Sequence, residues 1–421
     1  MDYENSTHVK SWTFTPQQLE QLRARANQEA LLFLEKQQQQ SLSLSLSLSL
    51  SLSDAAKATG AQAQGGNTES LVLAQSFAKD YKFTNNDAHA PMNTSMEMEE
   101  PASSTILTPE EELTLIKFYS SKLLTLIGPS ATHPKLKRDI KVASTASLLL
   151  KRFYLSNSIT LFDPKTIMVA SAFLASKVED ATCDVRYVED GTRAMQAHVK
   201  IKEIIEAEIA LVKGVDFDLC CFHPYKVVLA YTEDLRSFLK SKDGKHCVTV
   251  LSACNDNNVN VQRELVSGED LRPIYDKARD IVQQLVFGSD VMLLASPGKI
   301  GLVAMMLANK ILLQSQDENF KKDGDQDGGG STVVKINFRE YLRCRFAEER
   351  KEHEIEALWQ EIGDLSQVVQ NAVDQLLLQP EPDMVALKGI HKKLKKCRIW
   401  GNDDKKKKKK KRKHGEVDGE K

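Results

Sequence analysis

Two charged residues stand where helical periodicity asks for apolar ones. Along 166–177, Ile167, Ala170 and Leu174 fall on one stripe of a helical repeat, and the next member of that stripe is Lys177. Along 198–213, Ile201, Ile204, Ile205, Leu211 and Val212 form a stripe that Glu208 interrupts. An ammonium or carboxylate buried without a partner costs several kcal/mol. Lys177 and Glu208 therefore either pair with each other and stabilise a bundle or face a groove that grips another molecule. That is the chemistry of recognition rather than of bond making. No Gly-rich phosphate loop, paired-carboxylate motif, or Ser/His/Asp or Cys/His set stands out, so no catalytic residue and no enzymatic activity are expected. The seven cysteines, adjacent Cys220 and Cys221 among them, include no CxxC and no histidines at zinc-ligand spacing. They are expected to be core or inert surface thiols in a reduced compartment, with no metal and no cofactor.

The elements that must carry these residues are helical. The 421 residues hold 57 Lys and Arg against 58 Asp and Glu, so no overall charge draws the molecule to nucleic acid or to an anionic membrane. The charge is segregated into patches such as the acidic 97–100 and the basic run Lys405–Lys413, which reads as an import signal or a loose polyanion contact against a plain solvated tail. No apolar run approaches the ~18 residues of a membrane span, and a soluble intracellular protein is expected. An amphipathic helix is predicted over Trp12–Glu35, with Thr15 and Pro16 at a helix start. A glutamine run and a strict Ser-Leu alternation, Ser41–Ser53, follow. A period of two over so monotonous a tract cannot specify one register, so 36–104 is expected to be a mostly disordered insertion.

Ordered sequence resumes at Thr108-Pro-Glu-Glu111, an N-cap, an N1 proline and a capping-box glutamate. About five helices are predicted from there to Leu219. The third of them, Thr166–Lys177, is apolar almost all round and rich in small residues such as Ala170, Ala172 and Ala175, which places it at a bundle centre. A second bundle repeats the logic from Phe222 onward, with a polar insertion at 240–272, an Asp/Gly-rich stretch at 316–331, a long helical region Phe338–Leu378, and a last basic helix from Asp383 to Cys397. Arg152 and Phe153 are expected to anchor the second helix, the guanidinium in an internal polar contact and the ring in the core.

Read in order, Leu149-Leu-Lys-Arg-Phe-Tyr-Leu155, Phe173-Leu-Ala-Ser-Lys-Val-Glu179, Val215-Asp-Phe-Asp-Leu219 and His223-Pro-Tyr225 resemble the cyclin box. Trp12-Thr-Phe-Thr15, Ala24-Arg-Ala-Asn27 and Val385-Ala-Leu-Lys-Gly-Ile-His-Lys-Lys-Leu394 are similar to the cyclin H branch of that family. The resemblance implies an all-α fold of two tandem five-helix repeats. Its expected layout is an N-terminal helix at 10–35, repeats at 105–220 and 221–378, a C-terminal helix at 379–400 and a basic tail at 401–421. It further implies that Lys177 and Glu208 bind a kinase, that Arg152, Phe153 and Ala175 are structural residues of the box, and that the chain activates a cyclin-dependent kinase without catalysing anything itself. The implied partners are that kinase, the catalytic subunit of the CDK-activating kinase, its assembly factor and the TFIIH core, in the nucleus. No membrane contact and no specific nucleic-acid binding are expected. Another transcriptional cyclin of the cyclin C type, or a TFIIB-type scaffold with a cyclin fold, remains the alternative.

Overall fold

Helix starts in this chain follow the caps that its sequence carries. Thr108 Oγ1 accepts from the Glu111 amide while the Glu111 carboxylate accepts from the Thr108 amide, 2.8 Å, and α3, Pro109–Ile127, begins there. Asp139, Asp163 and Asp184 each accept from the backbone two residues on, opening α4 (Ile140–Ser156), α5 (Pro164–Val178) and α6 (Val185–Ala194). With α7, Ile201–Gly214, these make a five-helix first repeat in which α4 packs against α3, α5 and α7. The computed structural model describes residues 3–58, 106–241, 244–251, 268–322, 333–378 and 383–400.

The second repeat consists, among the described residues, of α8 (Tyr225–Phe238), α9 (Gly268–Gly288), α10 (Pro297–Lys322), α11 (Phe338–Phe346) and α12 (Glu352–Leu378). Its central helix α9 packs on α8, α10 and α12 and also on α3 and α4, which joins the two repeats. Helix α13, Met384–Cys397, lies on α3 through buried Leu387 and Leu394 and the Lys393–Glu111 pair, 2.8 Å. At the other end, α1 is Thr7–Trp12 and α2 is Pro16–Ala58, with Trp12 and Leu19 in the core.

Three local expectations need correction. The single N-terminal helix is two, because Thr15 and the side chain of Gln18 cap one another reciprocally and restart the helix at Pro16. Helix α2 then runs on through the Ser-Leu tract to Ala58, although disorder was expected from residue 36. Its hydrogen bonds are local, including Ser43, Ser45 and Ser47 hydroxyls donating to carbonyls three residues back, so it needs no register with a neighbour. The rest of that insertion, and the basic tail, lie outside the described residues. Within the all-α fold one short ribbon forms among the described residues: β1, Val248–Leu251, pairs antiparallel with β2, Val333–Ile336, with Val248 opposite Ile336. Four-residue β-branched runs are too short to announce themselves as strands. Asn309 supports this ribbon by donating to Val334 O, 2.5 Å, and accepting from Ile336 N, 3.1 Å. The long region after Phe338 is likewise interrupted, at 347–351, between α11 and α12.

A buried lysine ties the repeats together. Lys151 of α4 donates to Val286 O at 2.6 Å and to Ser289 O, at the C-terminal end of α9, and Ser147 donates to the same Val286 O. The ammonium complements carbonyls that a helix end leaves without partners. Burial, its largest perturbation, lowers its pKa from 10.5 to about 8, opposed by nearby Asp290. The unfolded lysine binds its proton more tightly than the folded one, so stability is expected to rise as pH increases from about 8 to 10.5. Lys151→Met should flatten that rise, which amounts to about 1 kcal/mol per pH unit, and should lower stability at pH 7 by about 1–3 kcal/mol because two buried carbonyls lose their donor. Urea denaturation at stepped pH measures both effects.

Candidate functional site

Lys177 lies one residue before the end of α5 and Glu208 midway along α7; their Nζ and Oε1 atoms are 2.6 Å apart. The Lys177 ammonium also sits 4.0 Å from the centroid of the Phe173 ring. The pair is not in the core. The side chains are 43% and 14% exposed, and the inward lines are Ile167, Ala170 and Leu174 on α5 and Ile204, Ala207 and Leu211 on α7. The expected α7 stripe is thus corrected: Glu208 interrupts no buried line but belongs to an outward one with Ile205 and Ile209, which are 44% and 54% exposed. Adjacent isoleucines at 204 and 205 fit two neighbouring helical lines, and only the placement of α7 on α5 chooses between them.

Just past α7, Asp216 and Phe217 take positive φ values of 52° and 62°, and Phe217 is 71% exposed. Left-handed backbone at a bulky residue is strained, and here it accompanies an aromatic ring left in solvent. Sequence reasoning used Val215-Asp-Phe-Asp-Leu219 as a motif and missed Phe217 as surface. The signal available was an apolar ring set between two aspartates directly after a helix.

Of the remaining residues singled out from sequence, Phe153 is in the core, edge-on to Tyr154 and Phe162, and Ala175 is fully buried on α5. Gly214 lets α7 approach: a Cβ there would stand 2.5 Å from the Phe153 ring. Arg152 is fully buried, donates to Asp218 O and Cys220 O at 3.0 Å, and faces the Trp12 ring at 5.0 Å. Trp12 in turn donates to Asp218 Oδ2, 3.2 Å, so α1 closes over the guanidinium.

Two histidines complete that closure; His223 figured in the sequence only within the His223-Pro-Tyr225 motif, and His8 went unread. His8 Nδ1 accepts from the Phe222 amide, 3.1 Å, which puts its proton on Nε2. Thr145 Oγ1 donates to Glu179 Oε1, so His223 Nε2, 2.8 Å away, must be the donor to Thr145. Glu179 also pairs with Lys141. Burial holds both imidazoles neutral and lowers their pKa values to about 3, helped by Arg152 at His8 and by His8, Lys141 and Arg152 at His223. Burial also pushes the Cys221 thiol up to about 11, which removes it from thiolate chemistry at neutral pH. What this geometry offers is a rigid buried frame and, on its outside, an apolar surface with one ion pair at its edge.

Two packed five-helix repeats with this outward surface on the first define a cyclin fold, and residues 118–220 match the family model described as "Cyclin, N-terminal domain". Residues 118–220 thus carry a cyclin N-terminal domain, and the relatives that the chain is similar to include proteins named cyclin H. It is 24% identical over 396 residues to Cyclin-H1-1 of Arabidopsis thaliana, covering 94% of this chain and 88% of that protein. It is 31% identical over 144 residues to Cyclin-H of Xenopus laevis, covering 33% of this chain and 43% of that one. The match to the "Putative cyclin-H" of Dictyostelium discoideum, 33% identical over 130 residues, likewise spans 42% of the relative's length. Among solved structures, a chain of the CAK complex of Chaetomium thermophilum bound to ATP-gamma-S shares the fold with a TM-score of 0.57 and 17% identity, over 97% of this chain and 94% of that chain.

The two neutral histidines set an acid limit. Unfolded imidazole takes up a proton as pH falls through 6.5, whereas the folded ones resist to about 3. The contribution of the two imidazoles is therefore full above pH 6.5 and declines below it, by about 1 kcal/mol per pH unit for each histidine. His223→Gln, which keeps a donor for Thr145, is expected to halve that slope in thermal unfolding measured from pH 7 to 4.5. Gly214→Ala should lower stability by about 1–3 kcal/mol at any pH, since the Phe153 ring must shift.

Proposed function

We propose that this chain is the regulatory subunit of a cyclin-dependent kinase: it has no catalytic role and switches on a bound catalytic subunit. The observation that carries this is the α5–α7 surface, where the Lys177–Glu208 pair borders Ile205, Ile209 and the outward ring of Phe217. Neighbouring branched and aromatic side chains left exposed on a stable bundle mark a place that another protein covers. Lys177 and Glu208 sit at the edge of that patch as polar anchors, so they serve kinase binding. Arg152, Phe153 and Ala175 hold α4, α5 and α7 together beneath it.

The occupant is the small lobe of the kinase. Pressure on its regulatory helix would seat the lysine–glutamate pair that aligns nucleotide phosphates. Relatives named cyclin H, and a fold shared with a chain of a CAK complex, support assignment to a CDK-activating kinase together with an assembly-factor subunit. On this reading the complex phosphorylates other cyclin-dependent kinases and, within TFIIH, the tail of RNA polymerase II. The protein then works in the nucleus, and the basic run Lys405–Lys413 serves import.

Capture of the bound kinase from nuclear extract, identified by mass spectrometry, tests the class; recovery of no kinase would refute it. The site is tested by Lys177→Ala and Glu208→Ala. Each is expected to weaken association with the purified kinase by ~2 kcal/mol or more, since partner groups would be left buried and unpaired. As a half-exposed ion pair the two residues contribute no more than about 1 kcal/mol to folding. Melting temperatures should therefore stay close to the parent's, and a large loss of stability at unchanged affinity would contradict the assignment. Ile209→Asp should weaken binding in the same way.

A further inference from the structure

A groove of about 640 Å³ on the second repeat, bordered by α10, β2, α11 and α12, plays no part in the surface described above. Its apolar floor includes Met306, Phe338 and Trp359, of which Phe338 is buried and the other two half-buried. Its rim is cationic: Lys310 and Lys335 project into solvent, as does Arg339, and among the described residues no carboxylate lines the groove. Lys335 faces outward because its strand neighbours Val334 and Ile336 point into the core and β2 alternates. Asn309, hydrogen-bonded to the backbone on both sides of Lys335, fixes that strand in place.

The cations are available. Lys335 has no ion pair among the described residues, and the polar contact of Lys310 is a neutral one, to Gln370 Oε1 at 3.4 Å. Arg339 meets Glu356 at 2.7 Å with both side chains more than half exposed, a pair that solvent screens and a ligand can displace. A volume of this size accommodates one or two large side chains with the backbone that bears them. Aromatic and methionine side chains in a depression supply the desolvated anchor that protein recognition depends on, and charge of a single sign around them selects the opposite sign. A phosphate backbone would find the charges but leave the apolar floor unused.

We propose that this groove is a docking site for an acidic segment of a partner protein, one that inserts an aromatic or leucine anchor between flanking carboxylates. The segment lies across α10 and β2 with its anchor on Met306 and Trp359 and its acids on Lys310, Lys335 and Arg339. The site is separate from the α5–α7 surface, so a partner held here leaves that surface open.

The test uses the full chain and the fluorescein-labelled peptide Asp-Glu-Asp-Phe-Leu-Glu-Asp-Glu in fluorescence anisotropy at near-physiological salt. Saturable binding is expected. The double charge reversal Lys310→Glu with Lys335→Glu should weaken it at least tenfold with an unchanged melting temperature, because both side chains are exposed. Replacing Phe-Leu in the peptide by Ser-Ser should also weaken it at least tenfold, whereas Lys177→Ala should leave it as in the parent. Failure to bind the peptide, unchanged affinity after charge reversal, or equal binding of the Ser-Ser peptide would overturn the proposal. So would a single-stranded oligonucleotide of equal charge that binds more tightly than the peptide and loses its affinity on the same charge reversal.

Discussion

A helix buried on all sides must find partners inside the protein for every polar side chain that it carries. Fourteen of the 17 residues of α4 are buried, so its Ser144, Thr145, Ser147, Lys151 and Arg152 have no recourse to water. Each reaches another element of the fold. Ser144 reaches Tyr225 Oη, Thr145 joins His223 and Glu179, Ser147 and Lys151 take the carbonyl end of α9, and Arg152 takes the backbone carbonyls of Asp218 and Cys220. Removing any of these partners leaves an uncompensated polar group, and for Lys151 or Arg152 an uncompensated charge. The polar residues of α4 thus specify which way the second repeat meets the first, a question that apolar contacts alone leave loosely answered.

The N-terminal arm is drawn into the same arrangement. Arg152 spends one nitrogen on two carbonyls, and its Nε and second terminal nitrogen make no hydrogen bond among the described residues. The Trp12 face, with its negative quadrupole, offsets part of that deficit, and Trp12 is held by Asp218 from the same turn that Arg152 grips. The turn 216–218 therefore joins three features: it ends the first repeat, anchors the arm and presents Phe217 outward in strained backbone. Strain there persists because the contacts on either side of Phe217 fix the chain. The surface on α5 and α7 consequently rests on helices whose spacing is set from below by α4, Gly214 and the Phe153 ring.

Much of this was legible in the residues themselves. The capping box at Thr108 marked a helix start because capping is local chemistry between residues three apart. The small residues of α5 marked a bundle centre because close approach excludes anything larger. The order of the box motifs marked the family. Lys177 and Glu208 were identified as misfits in helical patterns, yet whether they paired, faced a groove or lay in the core was beyond periodicity, which gives an angle around a helix and not what lies at that angle.

What the chain alone determined was therefore where helices begin and which residue types they offer. Tertiary structure decided which of two helical lines on α7 turned inward, that Lys151 would end beside the carbonyls of Val286 and Ser289, and that His8 would reach the amide of Phe222, 214 residues away. Those outcomes depend on bringing distant segments together, and no local propensity carries that information. The β1–β2 ribbon shows the same limit, since each strand of four residues gains its hydrogen bonds from a partner more than 80 residues away, and in isolation neither has reason to be extended.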